Sequence, residues 1–208
     1  VVLADLPRHK TASCLDAGCG EGYYLRQVAA ATPPQQTLAV LGLDISKWAV
    51  ISAAKQSALS NDGRPNWVVG SNANLPVLSG TLDRVLCMFG FPVYAEFARV
   101  LKANGQLLQA DAGPDHLREL REIIYPTLKP ERPTNEQAPA GFVSLSSETI
   151  RFPLALSGAA QIADLLAMTP HLYRASAEGR AKAAALTALS VTVDVRLTRF
   201  GRSAGFSG

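Results

Sequence analysis

Asp16-Ala17-Gly18-Cys19-Gly20-Glu21-Gly22 sets one carboxylate ahead of three glycines at alternate positions. The short apolar run before it, Ala12 to Leu15, reads as a strand, and a helical pattern starts at Glu21. Strand, glycine loop and helix is the layout that lets bare backbone approach a nucleotide. The spacing is Gly-x-Gly-x-Gly, and Tyr23 stands where a dinucleotide fingerprint has its third glycine. Asp16 falls at the strand's C-terminal edge, where open α/β sheets bind ligands. An ionised carboxylate there suits a positively charged amine and repels a cofactor phosphate, which disfavours a nicotinamide dinucleotide.

Further candidates follow along the chain. Asp44 ends a second apolar run about two dozen residues after the loop, where a carboxylate can accept hydrogen bonds from two ribose hydroxyls. It can also serve as a carboxylate at a helix N-terminus, next to Ser46. Ser71 and Asn72, within Gly70-Ser71-Asn72-Ala73-Asn74-Leu75-Pro76, suit contact with an adenine edge or a simple turn. Phe89 and Phe91, in Met88-Phe89-Gly90-Phe91-Pro92, can stack on a planar base or form an apolar rim. His116 has Asp111, Asp115 and Glu119 near it in sequence. It is a candidate base or substrate contact, with a helix-capping or surface role as the alternative.

These residues need a scaffold. Strands are expected at 12–16, 38–43, 66–69, 82–88 and 106–110. Helices are expected at 21–31, from Ser46, at 93–101 (stopped by Asn104-Gly105) and at 115–124. Residues 1–10 read as a leading helix or its remnant, and Asn61-Asp62-Gly63 as a turn. Alternating strands and helices imply a mainly parallel, doubly wound sheet. The pattern then changes. Pro126, Pro130, Pro133 and Pro139 make residues 125–141 a long connection on the substrate side. Beyond it lie two further strands (149–156 and 191–200) and two helices (158–167 and 178–189).

Composition narrows the class. With 208 residues, 48% of them hydrophobic and 18% charged, the chain can bury a substantial α/β core. It is expected to form a single domain over 1–208. No apolar run approaches the roughly 20 residues needed to span a bilayer, so no membrane partner is expected. Three cysteines without a Cys-x-x-Cys pair argue against a disulfide scaffold or an internal four-ligand zinc site, and a reducing cytoplasm is the simplest reading. Cys14 and Cys87 fall in strand patterns and read as core. Cys19 has no histidine beside it in sequence. The net charge of +3 does not by itself announce nucleic-acid binding. From His171 onward six basic residues face two acidic ones, a balance of +4 that fits a solvated face or an RNA-facing tail.

The glycine loop resembles the Asp/Glu-x-Gly-x-Gly-x-Gly motif of class I S-adenosylmethionine (AdoMet) methyltransferases. Four stretches together resemble the bacterial 23S rRNA guanine-N1 methyltransferases of the RlmA type: 15–24, Gly42-Leu43-Asp44-Ile45-Ser46-Lys47, Ala95 to Lys102, and Gly113-Pro114-Asp115-His116-Leu117-Arg118-Glu119-Leu120 with Ile124-Tyr125. Met168-Thr169-Pro170 with Tyr173-Arg174 resembles a late motif of the same family. The resemblance implies a Rossmann-like α/β fold with a seven-stranded, mainly parallel sheet and an antiparallel last strand. It implies AdoMet held by Asp16, Gly18, Gly20, Gly22, Tyr24, Asp44, Ile45, Ser71 and Asn72. It implies Phe89, Phe91 and Arg174 on the substrate side, His116 as the catalytic candidate, and no metal within this chain. Methyl transfer to N1 of a guanine in a 23S rRNA hairpin loop is the implied reaction, with a homodimer as the suggested assembly.

The family carries zinc in an N-terminal module that this chain lacks, and the expectation is that an N-terminal piece is missing. The usual Lys-Pro-Gly-Gly turn is Lys102-Ala103-Asn104-Gly105 here. A small-molecule methyltransferase of the same fold and a non-catalytic AdoMet-binding module for RNA assembly are the alternatives.

Overall fold

A computed structural model describes residues 11–33, 35–58, 65–128, 137–169 and 171–204. The anticipated leading helix, the 61–63 turn and much of the proline-rich connection lie outside these residues. Seven strands form one sheet: β1 (Thr11–Ala17), β2 (Thr37–Asp44), β3 (Asn66–Val69), β4 (Leu82–Met88), β5 (Leu101–Ala112), β6 (Phe142–Ser157) and β7 (Ala188–Arg202), in the order β3-β2-β1-β4-β5-β7-β6. β1 pairs in parallel with β2 and β4, β2 with β3, and β4 with β5. The last strands are antiparallel. The helices are α1 (Tyr23–Ala30), α2 (Lys47–Ala58), α3 (Tyr94–Val100), α4 (Arg118–Ile124), α5 (Ala159–Ala167), α6 (His171–Arg174) and α7 (Ala177–Ala184).

The chain forms two compact units. The first holds the described residues of Val1–Asp111, Glu136–Ser147 and Leu197–Gly208. Its core runs through Leu15, Leu43, Val85, Phe97, Leu101 and Leu107, all fully buried, and ends on Phe142 and Phe200. β1 and β4 bury consecutive apolar residues, Cys14-Leu15 and Val85-Leu86-Cys87-Met88, as a parallel strand covered on both faces requires. Cys14 and Cys87 lie in this interior with no exposure. The second unit holds the described residues of Ala112–Asn135 and Glu148–Arg196. Its core is Leu117, Leu120, Ile124, Leu166, Ala175, Ala183 and Val191. α7 docks directly on the last turn of α4: a Cβ on Gly179 would lie 2.2 Å from the Ile124 carbonyl oxygen.

β3 and β4 keep the boundaries their sequence patterns give, and the other elements differ, some by several residues. α3 stops at Val100 because β5 already begins at Leu101. Leu82 pairs with Leu101 and Arg84 with Gln106, so residues 102–105 loop out between paired positions instead of capping a helix. α4 starts only at Arg118, because Leu117 adopts φ 51°, outside the helical region. β6 begins at Phe142, well before residue 149, and is exposed along nearly its whole length at one edge of the sheet, with Pro153 inside it. α7 ends at Ala184, and β7 takes over from Ala188.

Candidate cofactor site

In the first unit the C-terminal ends of β1, β2 and β4 open on a cavity of about 430 Å³. That volume lies within the ~300–1,000 Å³ range of small-molecule sites. Its walls include Gly18, Asp44, Ile45, Ser71, Asn72, Phe89 and Phe91, all singled out from sequence, together with Gly70, Ala73, Gly90 and Val93, which were not.

The glycine loop is tied to β2 from the start. The Gly18 and Cys19 amides both donate to the Leu43 carbonyl, at 2.8 and 3.0 Å. The Gly20 amide donates to Asp44 Oδ2 at 2.9 Å, and the Ser46 amide donates to Asp44 Oδ1 at 2.8 Å. Asp44 therefore braces the loop and the start of α2 together. Each of its oxygens keeps a further lone pair for another donor. Ser46 accepts from the Ala49 amide at 3.3 Å and caps α2.

Gly22 has a role that its own neighbourhood in sequence does not reveal. A Cβ on Gly22 would stand 2.1 Å from the Trp67 ring, and one on Gly42 2.3 Å from it. The indole slides under both glycines, and its Nε1–H donates to Ser57 Oγ at 3.2 Å. Gly22 also takes φ 76°, the left-handed region that opens α1.

Asp16 is the anomaly. Its carboxylate has no exposure, and neither oxygen has a hydrogen-bond partner among the described residues. Burial, with the neighbouring Asp44 carboxylate adding to it, pushes the Asp16 carboxyl up to about 7. The carboxyl expected to be fully ionised is thus poised between its two forms near neutral pH in the free protein. The nearby Tyr24 phenol is raised by burial and then by Asp16. Burial also pushes the Cys19 thiol up to about 12, so it is protonated and inert at neutral pH.

A third buried acceptor also lacks a partner: Asn72 Oδ1. Asn72 Nδ2 donates to the Phe91 carbonyl at 3.1 Å, which turns the amide oxygen the other way. Ser71 Oγ accepts from the Ala73 amide at 3.2 Å and makes a turn. Phe91 and Ile45 are 88% and 78% exposed, and Phe89 is half exposed. Phe89 holds φ 58°, a strained conformation for a bulky residue, while its amide donates to the Ala110 carbonyl.

The wall carrying Ser71 and Asn72 is clamped from behind. Arg99 donates to the carbonyls of Leu75 (3.0 Å) and Val77 (2.8 Å) and bridges Glu96 in two bonds, while Glu96 Oε2 accepts from the Leu75 amide at 2.7 Å. Sequence could have suggested this pair only as an i,i+3 ion pair on α3. Arg99→Ala is expected to speed amide exchange across residues 71–80 by about tenfold or more and to weaken ligand binding in the cavity several-fold. Unchanged exchange in that loop would show that the clamp holds nothing.

The second unit carries the remaining candidates. His116 is half-buried, and its Nδ1 accepts from the Asp194 amide at 3.3 Å. Burial depresses its pKa; Asp194 opposes that and Arg121 adds to it. Asp115 is held by Arg118 (2.6 Å) and Arg151 (2.7 Å), and Glu119 accepts from the Thr192 amide and hydroxyl at 2.7 and 2.6 Å. Both carboxylates are committed to fold-holding bonds. Arg174 is exposed on α6. Among the described residues no group of three or more His, Cys, Asp or Glu side chains could hold a metal ion. No helix among them is long and apolar enough to cross a membrane.

Residues 14–105 match the profile of a methyltransferase domain. YxjB of Bacillus subtilis (strain 168), whose name proposes 23S rRNA (guanine-N(1)-)-methyltransferase activity, is 31% identical over 192 residues, 90% of this chain and 66% of that protein. The malonyl-[acyl-carrier protein] O-methyltransferase of Laribacter hongkongensis (strain HLHK9) is 36% identical over 135 residues, 58% of this chain and 44% of that protein. The chain thus spans less than two thirds of the length of either relative. The crystal structure of YcgJ from Bacillus subtilis shares the fold at 17% identity, with a TM-score of 0.58 over 98% of this chain and 97% of that one.

Proposed function

We propose that the chain, whose residues 14–105 match a methyltransferase domain, transfers a methyl group from AdoMet to N1 of a guanine in a 23S rRNA hairpin loop. The observation that carries the cofactor is the set of buried polar atoms without partners: Asp16 Oδ1 and Oδ2 and Asn72 Oδ1. All three are acceptors, so the site is short of donors, and desolvated acceptors left unpaired are costly. A nucleoside carrying an ammonium group and an exocyclic amine brings the donors that are lacking, so these residues fit the group.

Asp16 would hold the ammonium, Asp44 the ribose hydroxyls and Asn72 Oδ1 the adenine amine. Gly18 and Gly20 would bring backbone close, with Ile45 as an apolar wall and Ser71 fixing the turn. Gly22 and Tyr24 would act behind them, Gly22 by admitting Trp67. When bound, AdoMet supplies a methyl on a sulfonium, already a strong electrophile. The protein's remaining tasks are to place the base and to take the N1 proton. Phe89 and Phe91 would flank a base lifted from its loop, which is easier from a hairpin than from a duplex. His116, depressed by burial, is neutral at pH 7; with Nδ1 taken by the Asp194 amide it offers its Nε2–H as a donor, and it is the chain's candidate substrate contact.

The choice of rRNA rests on extent. The match to YxjB runs over nine tenths of the chain, whereas the match to the acyl-carrier enzyme covers little more than half. The higher identity of that shorter match supports a second reading, methylation of a carboxyl on a carrier protein. Incubation with labelled AdoMet and either 23S rRNA transcript or malonyl-acyl carrier protein separates them. The expected product is 1-methylguanosine in digested rRNA. Label on the carrier protein, with unmodified rRNA, would overturn the rRNA reading. In the same assay Asp44→Ala is expected to weaken S-adenosylhomocysteine binding on the order of 10- to 100-fold by calorimetry. Wild-type affinity would remove Asp44 from the ribose contact.

A further inference from the structure

The two stretches that most resemble the rRNA enzymes, residues 113–125 and 168–174, meet inside the second unit. The Tyr125 hydroxyl and His171 Nδ1 are 2.8 Å apart across 46 residues of sequence. The rings also pack edge to face, with centroids 5.6 Å apart at 78°. Both residues are held firmly. Tyr125 follows the last turn of α4, against whose backbone α7 is seated at Gly179. The Ala175 amide donates to the His171 carbonyl at 2.8 Å. Tyr125 packs against the second unit's core, and this bond leaves the far side of the His171 ring for another partner.

The surroundings are cationic. Arg121, one turn before Tyr125, donates to the Pro114 and His116 carbonyls at 2.7 and 3.2 Å, which fixes its guanidinium beside the turn that carries His116. Burial depresses the His171 pKa, and Arg121, Arg174 and His116 lower it further, with no carboxylate opposing them. On the neighbouring α7, Glu178 is paired with Lys182 at 2.8 Å, and Arg180 donates to the Ala175 carbonyl. His171 is therefore neutral at pH 7. In the tautomer whose Nδ1 accepts from the Tyr125 hydroxyl, Nε2 carries the proton and faces away from the tyrosine as a donor. An N–H donor with Arg174 one turn along α6 and Arg121 one turn before Tyr125 on α4 matches an oxyanion.

We infer that His171, oriented by Tyr125 and flanked by Arg121 and Arg174, binds a backbone phosphodiester of the RNA substrate. The inference rests on the rRNA reading above and deepens it. His171 and Tyr125 are positioning residues here, with no part in methyl transfer.

The test uses the full chain and a fluorescein-labelled RNA stem-loop from 23S rRNA, followed by anisotropy over a range of KCl concentrations. His171→Ala is expected to weaken binding about tenfold. His171→Gln, whose amide N–H falls near Nε2, is expected to recover most of that loss. Arg174→Gln, an exposed change that leaves the core untouched, is expected to lower affinity and reduce the salt slope by about 1. By NMR the His171 imidazole pKa is expected to rise when RNA binds, because a phosphate reverses the surrounding positive charge. Unchanged affinity and slope in both His171→Ala and Arg174→Gln, with RNA still bound and methylated, would overturn the inference alone. A chain that binds S-adenosylhomocysteine but no RNA, or whose His171 responds to acyl carrier protein instead, would overturn both this inference and the rRNA reading.

Discussion

Asp16→Asn is expected to stabilise the unliganded protein and to deprive it of its cofactor. The folded-state pKa of Asp16 is raised from 3.8 to about 7 by burial and by Asp44. Between those values the folded state keeps a proton that the unfolded state has released. Stability therefore falls as pH rises, by about 1.4 kcal/mol per unit, and becomes flat above about pH 7. Asparagine removes this penalty but leaves an amide short of partners, a cost of about 1–3 kcal/mol. The balance is a gain of roughly 1–3 kcal/mol at pH 8, or several degrees in Tm for a chain of this size. Affinity for S-adenosylhomocysteine should fall 100-fold or more, since a buried cation would lose its counter-charge. In the wild type that affinity should drop about tenfold per unit below pH 7 and level off above it. In the variant it should be independent of pH. Thermal scans and calorimetry across pH 5–9 check both halves, and a variant less stable at pH 8 would contradict the first.

Gly22→Ala carries the second large effect. The new Cβ would meet the Trp67 ring at 2.1 Å, and alanine at φ 76° adds strain of about 1–2 kcal/mol. Overpacking adds about 1–3 kcal/mol more. The indole cannot step aside without leaving Ser57 and pressing on Gly42. A total loss of about 2–5 kcal/mol in urea unfolding is expected. Shrinking the ring should relieve the collision but not the backbone strain, so Gly22→Ala with Trp67→Leu should be more stable than the sum of the single changes predicts. Strict additivity would show that the two residues do not interact.

The glycine loop was legible in sequence because its parts are adjacent: a strand, a carboxylate and alternating glycines lie within a dozen residues. β3 and β4 were legible because short apolar runs are bounded by turns. Trp67 was not, since it reaches Gly22 from 45 residues away and nothing in either stretch points to the other. Asp115 and Glu119 look like acid–base candidates beside a histidine. In the structure Arg151 and Thr192 claim them, and only the fold brings those partners within reach. The start of β6 was missed although Val143-Ser144-Leu145-Ser146 alternates apolar and polar residues, because the run is short and follows directly on the proline-rich connection. The end of α7 was missed for the opposite reason. Ala183-Ala184-Ala185-Leu186 favours continued helix, but pairing in β7 claims the residues from Ala188 onward.

The open edge at β6 also bears on how copies of this protein behave when crowded. A long border strand with Val143, Leu145, Phe152 and Leu154 uncovered is the kind of template on which further chains zip up into aggregates. Pro153 removes one N–H from that border, and Glu148 and Arg151 set charges along it. A growing ladder would break at that point, so the edge can stay bare without seeding its own precipitation.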